Sequence, residues 1–323
     1  MNLLRRCGQP RRIIFLLVFT APALLSAQGA GRGKEQPANL KQATERMRDG
    51  KIAAALAAAQ KEVQENPASA AAANLLDVLG ATAEARQVFQ KRIDTAPDAA
   101  AKATAQRAMA MSFAFDGDSA NVVKLEREVI AYWTTRETAE PQNAFYQQGE
   151  LANEAARVCI DQADFAAAEQ WYRKGTELGS KEPEPKTHPQ SLWDYRLAHA
   201  LGRLAARRGD KAEAQKQIAA ARKILDGDPK MAEQQERFFP YLVGYVALYT
   251  GDLQTAESEL TKTVALPGNQ NDPFMNCLLA MTAEKRGQAD KAKALYRRAY
   301  DLATAHNPPA AFVRPFARKK LGL

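Results

Sequence analysis

One short turn unit returns along this chain: a glycine or alanine, often followed by aspartate, with apolar residues at helical spacing on both sides. The clearest copy is Gly251-Asp252-Leu253-Gln254-Thr255-Ala256, followed by Leu260 and Val264 and preceded by Gly244. Gly209-Asp210 repeats the layout with Ala214, Ile218 and Ala221 behind it and Gly202 ahead. Gly287 does so with Ala292, Tyr296, Ala299 and Ala280, and Ala163-Asp164 with Ala168 and Tyr172. Gly50, Gly80 and a weaker Gly117-Asp118 carry the series toward the N-terminus. A glycine or small polar pair turns the chain between two helices. A small residue midway along each helix lets the two approach, and larger residues at helical spacing fill the space between layers. Self-similarity of this kind confines a chain to an array of like units, none of which buries its apolar face alone. Composition agrees. Alanine supplies 64 of 323 residues, and it is the best helix former and a poor strand former, which excludes an all-β fold. With 46% hydrophobic and 25% charged residues, wholesale disorder is excluded as well.

The pattern resembles the tetratricopeptide repeat family. The turn positions 50, 80, 117, 163, 209, 251 and 287 differ by 30, 37, 46, 46, 42 and 36 residues, against a family period of about 34. The aromatic residue expected early in each first helix is mostly missing. The long intervals predict lengthened helices or inserted loops, with candidates at 179–190, 226–236 and 267–272. The resemblance covers roughly residues 38–305 and implies an all-α fold. That fold is an α-solenoid of about seven degenerate helix pairs, each touching only its neighbours, with a C-terminal capping segment over 306–323. In that segment Pro308-Pro309 break the preceding helix. Phe312, Val313 and Phe316 are expected to cover the last apolar face, while Arg314, Arg318, Lys319 and Lys320 face water.

Residues 1–27 have the three parts of a secretory signal: a basic stretch from Arg5 to Arg12, an apolar run from Ile13 to Leu25, and a small-residue cleavage site after Ala27. The run of about 13 residues falls short of the roughly 20 that a spanning helix needs. Residues 28–37 read as a flexible spacer. The four arginines of the signal account for much of the formal charge of +8; without them 41 basic residues face 37 acidic ones, a net of +4. The expected location is therefore periplasmic or secreted, with no membrane insertion after cleavage. Export and a modest mature charge exclude nucleic acid as the expected partner.

No catalytic or metal-binding motif is present. His188, His199 and His306 are not paired at ligand spacing, and neither HExxH, CxxC nor GxSxG occurs. No cofactor is implied. Glu126/Glu128 and Glu182/Glu184 are expected on solvated segments. Cys159 and Cys277 fall three repeats apart, too far for the Cα separation of about 7 Å that a disulfide tolerates, and read as small apolar residues.

In the resembled family the concave surface is lined by first helices. Mapping the pattern through each turn selects Asn153 and Arg157 in the fourth repeat. It selects Arg196, His199, Arg203 and Arg207 in the fifth, Phe238, Tyr241, Tyr245 and Tyr249 in the sixth, and Phe274, Met281 and Lys285 in the seventh. The arginine stripe beside the tyrosine stripe predicts a groove for an extended peptide with acidic groups. The plainer alternative is a solvated arginine face and tyrosines packed into the core. The expected function is a non-enzymatic scaffold or adaptor of the bacterial cell envelope that binds a partner protein or peptide. The alternative is an auxiliary subunit of an envelope enzyme or polysaccharide export complex.

Overall fold

All seven turn positions adopt the left-handed backbone. Gly50, Gly80, Gly117, Gly209, Gly251 and Gly287 have φ between 73° and 91°, and Ala163 has φ of 62°. These values come from a computed structural model that describes residues 36–323; the signal expected over 1–27 and most of the spacer lie outside the described residues. Each turn joins the two helices of a pair: α1 (Ala38–Arg48) with α2 (Ile52–Glu65), α3 (Ala70–Leu79) with α4 (Thr82–Asp94), α5 (Ala99–Phe115) with α6 (Ser119–Thr134), and α7 (Pro141–Asp161) with α8 (Phe165–Gly179). The series continues with α9 (Gln190–Arg207) and α10 (Lys211–Gly227), then, after a short α11 (Pro229–Gln235), α12 (Phe239–Thr250) with α13 (Leu253–Ala265), and α14 (Pro273–Lys285) with α15 (Ala289–Leu302). The last helix is α16 (Pro308–Leu321). Over the described residues the protein is thus an all-α solenoid of seven helix pairs ended by a single helix. Of the three candidate insertions, 180–189 is a loop, 226–236 mostly lengthens α10 and forms α11, and 266–272 is again a loop.

The aspartate after the turn residue has its own purpose. Asp118, Asp164, Asp210 and Asp252 each accept a hydrogen bond from the amide three residues on, capping α6, α8, α10 and α13. The amides of Asp118, Asp164 and Asp210 reach back five residues, as Asp164 N to Cys159 O at 2.9 Å, and so close the preceding helix. Ala163 fills the same role without a glycine's freedom. A left-handed L-residue costs roughly 1 kcal/mol, so Ala163→Gly is expected to raise unfolding stability by about 0.5–1 kcal/mol in urea titrations.

First helices form the inner layer: α3 touches α5, and α12 touches both α9 and α14. Their small residues let the layers close. A Cβ on Gly244 would sit 2.7 Å from Leu260 Cγ.

The C-terminal helix does more than cap the last pair. It packs on α14 and α15, with Phe312 against Phe274 at 5.2 Å and Phe316 against Tyr296 at 6.0 Å between ring centroids. It also crosses to the inner faces of α3, α5 and α7. Arg314, expected in water, is buried there. It donates to Val78 O at 2.8 Å and Tyr300 O at 2.9 Å, and lies 3.7 Å from the Tyr300 ring centroid. The reason is helix polarity, since carbonyls at the ends of α3 and α15 carry partial negative charge that a guanidinium satisfies. Just before α16, His306 Nε2 meets Asp77 Oδ2 at 2.8 Å, with its ring between Phe89 and Phe115. Residues 229 positions apart are thereby joined, and the solenoid curls around its own last helix. Arg318, Lys319 and Lys320 are exposed.

Candidate functional site

The inner face is open where α16 leaves it, at the fourth to sixth pairs. There α7 presents Glu150, Asn153, Glu154 and Arg157, spaced three and four residues apart and therefore on one face. Opposite them α9 presents Tyr195, Arg196, His199 and Arg203. Tyr172 of α8, Gln235, Phe238, Tyr241, Asp272 and Met275 complete the wall, and Pro308 and Pro309 at the start of α16 close one side. Together they line a cavity of about 290 Å³.

Charges around it are arranged unevenly. Arg196 pairs with Glu150, and Arg107 binds Glu154 through Nε and Nη2 at 3.0 and 2.8 Å. Arg203 donates to the hydroxyls of Tyr241 and Tyr172, both at 3.2 Å, and to His199 O at 3.4 Å. Asp272 caps α14 by accepting from Met275 N at 2.9 Å. Arg157 lies 4.2 Å from the Phe274 ring centroid, and Asp161 stands 3.9 Å from its Nε. Its Nε and Nη2 are buried without a hydrogen-bond partner. Gln235, only 3% exposed, has an unpartnered Nε2.

Burial, reinforced by the Arg203 charge, holds His199 well below the usual imidazole range. Its ring is therefore neutral at pH 7, and Nε2 donates to Phe238 O at 3.3 Å. Burial likewise pushes the Tyr172 and Tyr245 hydroxyls up. The Asp161 carboxyl is pushed up by burial to about 6, against the pull of Arg157, Arg203 and Arg207. A carboxyl with a raised folded pKa contributes stability that is full below its unfolded value of 3.8 and lost as pH rises through about 6. Asp161→Asn is expected to remove this loss, worth on the order of 3 kcal/mol, from the stability difference between about pH 4 and pH 7. Thermal melts of both proteins across that range measure it.

Of the nine groove residues selected from the sequence, Asn153, Arg157, Arg196, His199, Arg203 and Tyr241 line the cavity. Arg207, Tyr245 and Tyr249 do not. The reason is helical drift: four residues turn the chain about 400°, so an i, i+4, i+8 stripe rotates roughly 40° per step away from its first member. Tyr245, 1% exposed, has turned into the core, where Arg207 Nη1 donates to its hydroxyl at 3.4 Å. Arg203 is buried, so the arginine stripe is not a solvated face either. Phe274 is buried behind Arg157.

Several cavity residues escaped sequence reasoning. Glu150 and Glu154 share the spacing of Asn153 and Arg157 and were legible from it. Gln235 lies in an insertion and Tyr172 on a second helix, while Pro308 and Pro309 arrive from the far end of the chain; periodicity reaches none of these. Glu126 and Glu182, expected in solvent, are both buried. Burial, and then neighbouring Glu154, push the Glu126 carboxyl well above the usual carboxylate range. Glu182 instead pins the 180–189 loop, accepting from the amides of Thr187 and His188 at 2.5 and 3.2 Å. Cys159 and Cys277 are buried free thiols, and burial pushes the Cys159 thiol up to about 11. Among the described residues no group of His, Cys, Asp or Glu is placed to hold a metal ion, and no helix is long and apolar enough to cross a membrane.

Comparison with known proteins matches residues 275–306, the seventh pair, to a tetratricopeptide repeat. No curated protein matches the chain. Among solved structures, the chain is similar to a tetratricopeptide repeat protein from Parabacteroides merdae, with 14% identity over 82% of this chain and 91% of that one and a TM-score of 0.40. It is similar to the tetratricopeptide domain of P58(IPK), with 12% identity over 88% and 97% and a TM-score of 0.32. It is also similar to yeast Tom70, with 11% identity over 87% and 80% and a TM-score of 0.36.

Proposed function

We propose that this protein is a non-enzymatic scaffold or adaptor of the bacterial cell envelope that holds a partner protein through its inner face. The carrying observation is the cavity between α7, α9, α12 and α14. It is the part of the inner face that α16 leaves open, and it combines aromatic walls with the guanidinium groups of Arg157, Arg196 and Arg203. Such a surface offers large contact area together with charge-directed recognition of acidic groups. The signal-like segment 1–27 supports an exported location.

Site-directed photocrosslinking tests this reading. A crosslinking side chain at Asn153, half-buried in the cavity wall, is compared with one at Lys216, whose side chain is 74% exposed on the outer helix α10. Capture of one discrete envelope protein from Asn153 and not from Lys216 is expected. Equal capture from both positions, or capture only of cytoplasmic proteins, would overturn the proposal. Recovery of a membrane enzyme or polysaccharide export complex would specify the partner as the machine that this scaffold serves.

A further inference from the structure

Where α16 returns to the second pair, a cleft of about 440 Å³ lies between it and the ends of α3 and α5. That volume is in the range that takes a small ligand. The cleft shares no lining residue with the inner cavity. Arg314, Arg318 and Lys319 of α16 form one wall. Arg314 and Arg318 are four residues apart and share a helix face. The Arg318 guanidinium crosses the α3–α4 turn so closely that a Cβ on Gly80 would meet its Nη1 at 2.8 Å.

The carboxylates of the cleft are already matched. Asp116 stands 2.7 Å from Arg86 Nη1 and accepts from Thr82 Oγ1 at 3.0 Å. Asp77 pairs with His306 and accepts from Ser112 Oγ at 2.7 Å. Asp301 of α15 is engaged by Arg297 at 3.7 Å. Arg318 donates its Nε to Leu323 O at 3.1 Å, and its charge is counted as met although its Nη edge stays available. Arg314 and Lys319 are left, and among the described residues neither has a carboxylate partner. Arg314 gives Nε and Nη1 to neutral carbonyls. Its Nη2 is buried with no acceptor, in a residue only 5% exposed. A guanidinium keeps its proton in a protein, so two positive charges and one unmet buried donor meet at this wall.

The three cationic groups are disposed differently: one is buried, one lies over the turn and one is exposed. A carboxylate keeps both oxygens in one plane and carries one negative charge. A phosphate carries nearly two, on three strong acceptor oxygens set around a tetrahedron. It matches both the count of unmet charges and their spread.

We infer that this cleft binds a phosphoryl group through Arg314, Arg318 and Lys319, and that the bound group fastens α16 to the second pair. The site stands whether or not the inner face holds a partner. Inorganic phosphate, a small phosphate monoester and a lipid headgroup ending in a monoester share this chemistry.

Isothermal titration at fixed ionic strength tests the site with inorganic phosphate, glycerol 3-phosphate and acetate. Co-sedimentation with phosphatidylcholine vesicles, with or without phosphatidic acid, tests the lipid source. At least one phosphate-bearing probe is expected to bind at least about tenfold more tightly than acetate, and the tightest identifies the source. Arg318→Gln with Lys319→Gln changes two exposed side chains and is expected to weaken that probe by at least about tenfold. Lys216→Gln with Lys223→Gln, on the outer helix α10, should leave it unchanged. Arg314→Lys should weaken it as well; if that variant melts early by circular dichroism, the Arg318 and Lys319 pair carries the test alone. With probe bound, hydrogen exchange should slow in α3 and α16 and stay unchanged in α9 and α12. No phosphate-bearing probe binding, acetate binding as tightly, full affinity in the Arg318 and Lys319 variant, or equal weakening by the α10 variant would each overturn the site. Exchange slowed evenly in all helices would overturn the fastening.

Discussion

Trp193→Ala is expected to destabilise the protein by about 3–5 kcal/mol in urea unfolding, as for other fully buried large-to-small changes. Trp193 is 0% exposed, and its ring occupies a seat cut from glycines on two other helices. A Cβ on Gly149 of α7 would lie 2.5 Å from its Cη2, and one on Gly179 of α8 would lie 2.2 Å from Cε2 and Cζ2. The seat therefore sets how closely α9 approaches the preceding pair. Gly179→Ala should cost about 1–3 kcal/mol through overpacking. In a Trp193→Ala background that cost should largely vanish, since the added methyl group then enters the cavity left by the indole. Such strong non-additivity marks a direct contact. Trp193→Phe keeps most of the ring and removes an indole N–H that has no partner, so its cost should be well below that of alanine. Because α7 and α9 are opposite walls of the cavity, Gly179→Ala is also expected to reduce crosslinked capture of the proposed partner at Asn153 more than its stability cost alone implies.

The glycines of this seat illustrate what sequence could and could not disclose. The turn residues were legible because each is a local event: a left-handed residue and a capping aspartate fall within a few positions of each other, and repetition made them stand out. Six of the nine residues mapped from the sequence share the cavity wall for the same reason, since one helix face is written in steps of three and four. Arg207, Tyr245 and Tyr249 lie outside that wall, where spacing of four outruns the helical turn. Gly149 and Gly179 lie off the repeat pattern, and their partner is a tryptophan on another pair; no local signal joins them. Glu126 and Glu182 misled because carboxylates are rarely buried, and only tertiary structure says which ones are. The largest omission was the path of α16. Phe312 and Phe316 do lie against the seventh pair, but nothing in a nearest-neighbour solenoid foretells a last helix that returns to the second.

That return is what Arg314 secures, and Arg314→Ala is expected to cost about 3–4 kcal/mol. The side chain makes two charge-assisted hydrogen bonds, each worth roughly 1.5–3 kcal/mol, and stacks on Tyr300. The loss is partly offset because Tyr300 O also accepts from Ala303 N, at 3.2 Å. Val78 O, near the C-terminal end of α3, loses its side-chain partner in a buried setting. Arg314→Lys should recover only part of the stability, because one ammonium on a flexible stem cannot hold both carbonyls in the planar guanidinium's geometry. Arg318→Ala, one turn on and exposed, should stay within about 0.5 kcal/mol of the parent. Hydrogen exchange distinguishes a local from a global effect. If Arg314 clasps the ends of the solenoid together, exchange in Arg314→Ala should accelerate in α3 and α16 while α9 and α12 stay protected. Uniform acceleration would instead make the seven pairs and the last helix one cooperative unit, with the cavity depending on the clasp for its shape.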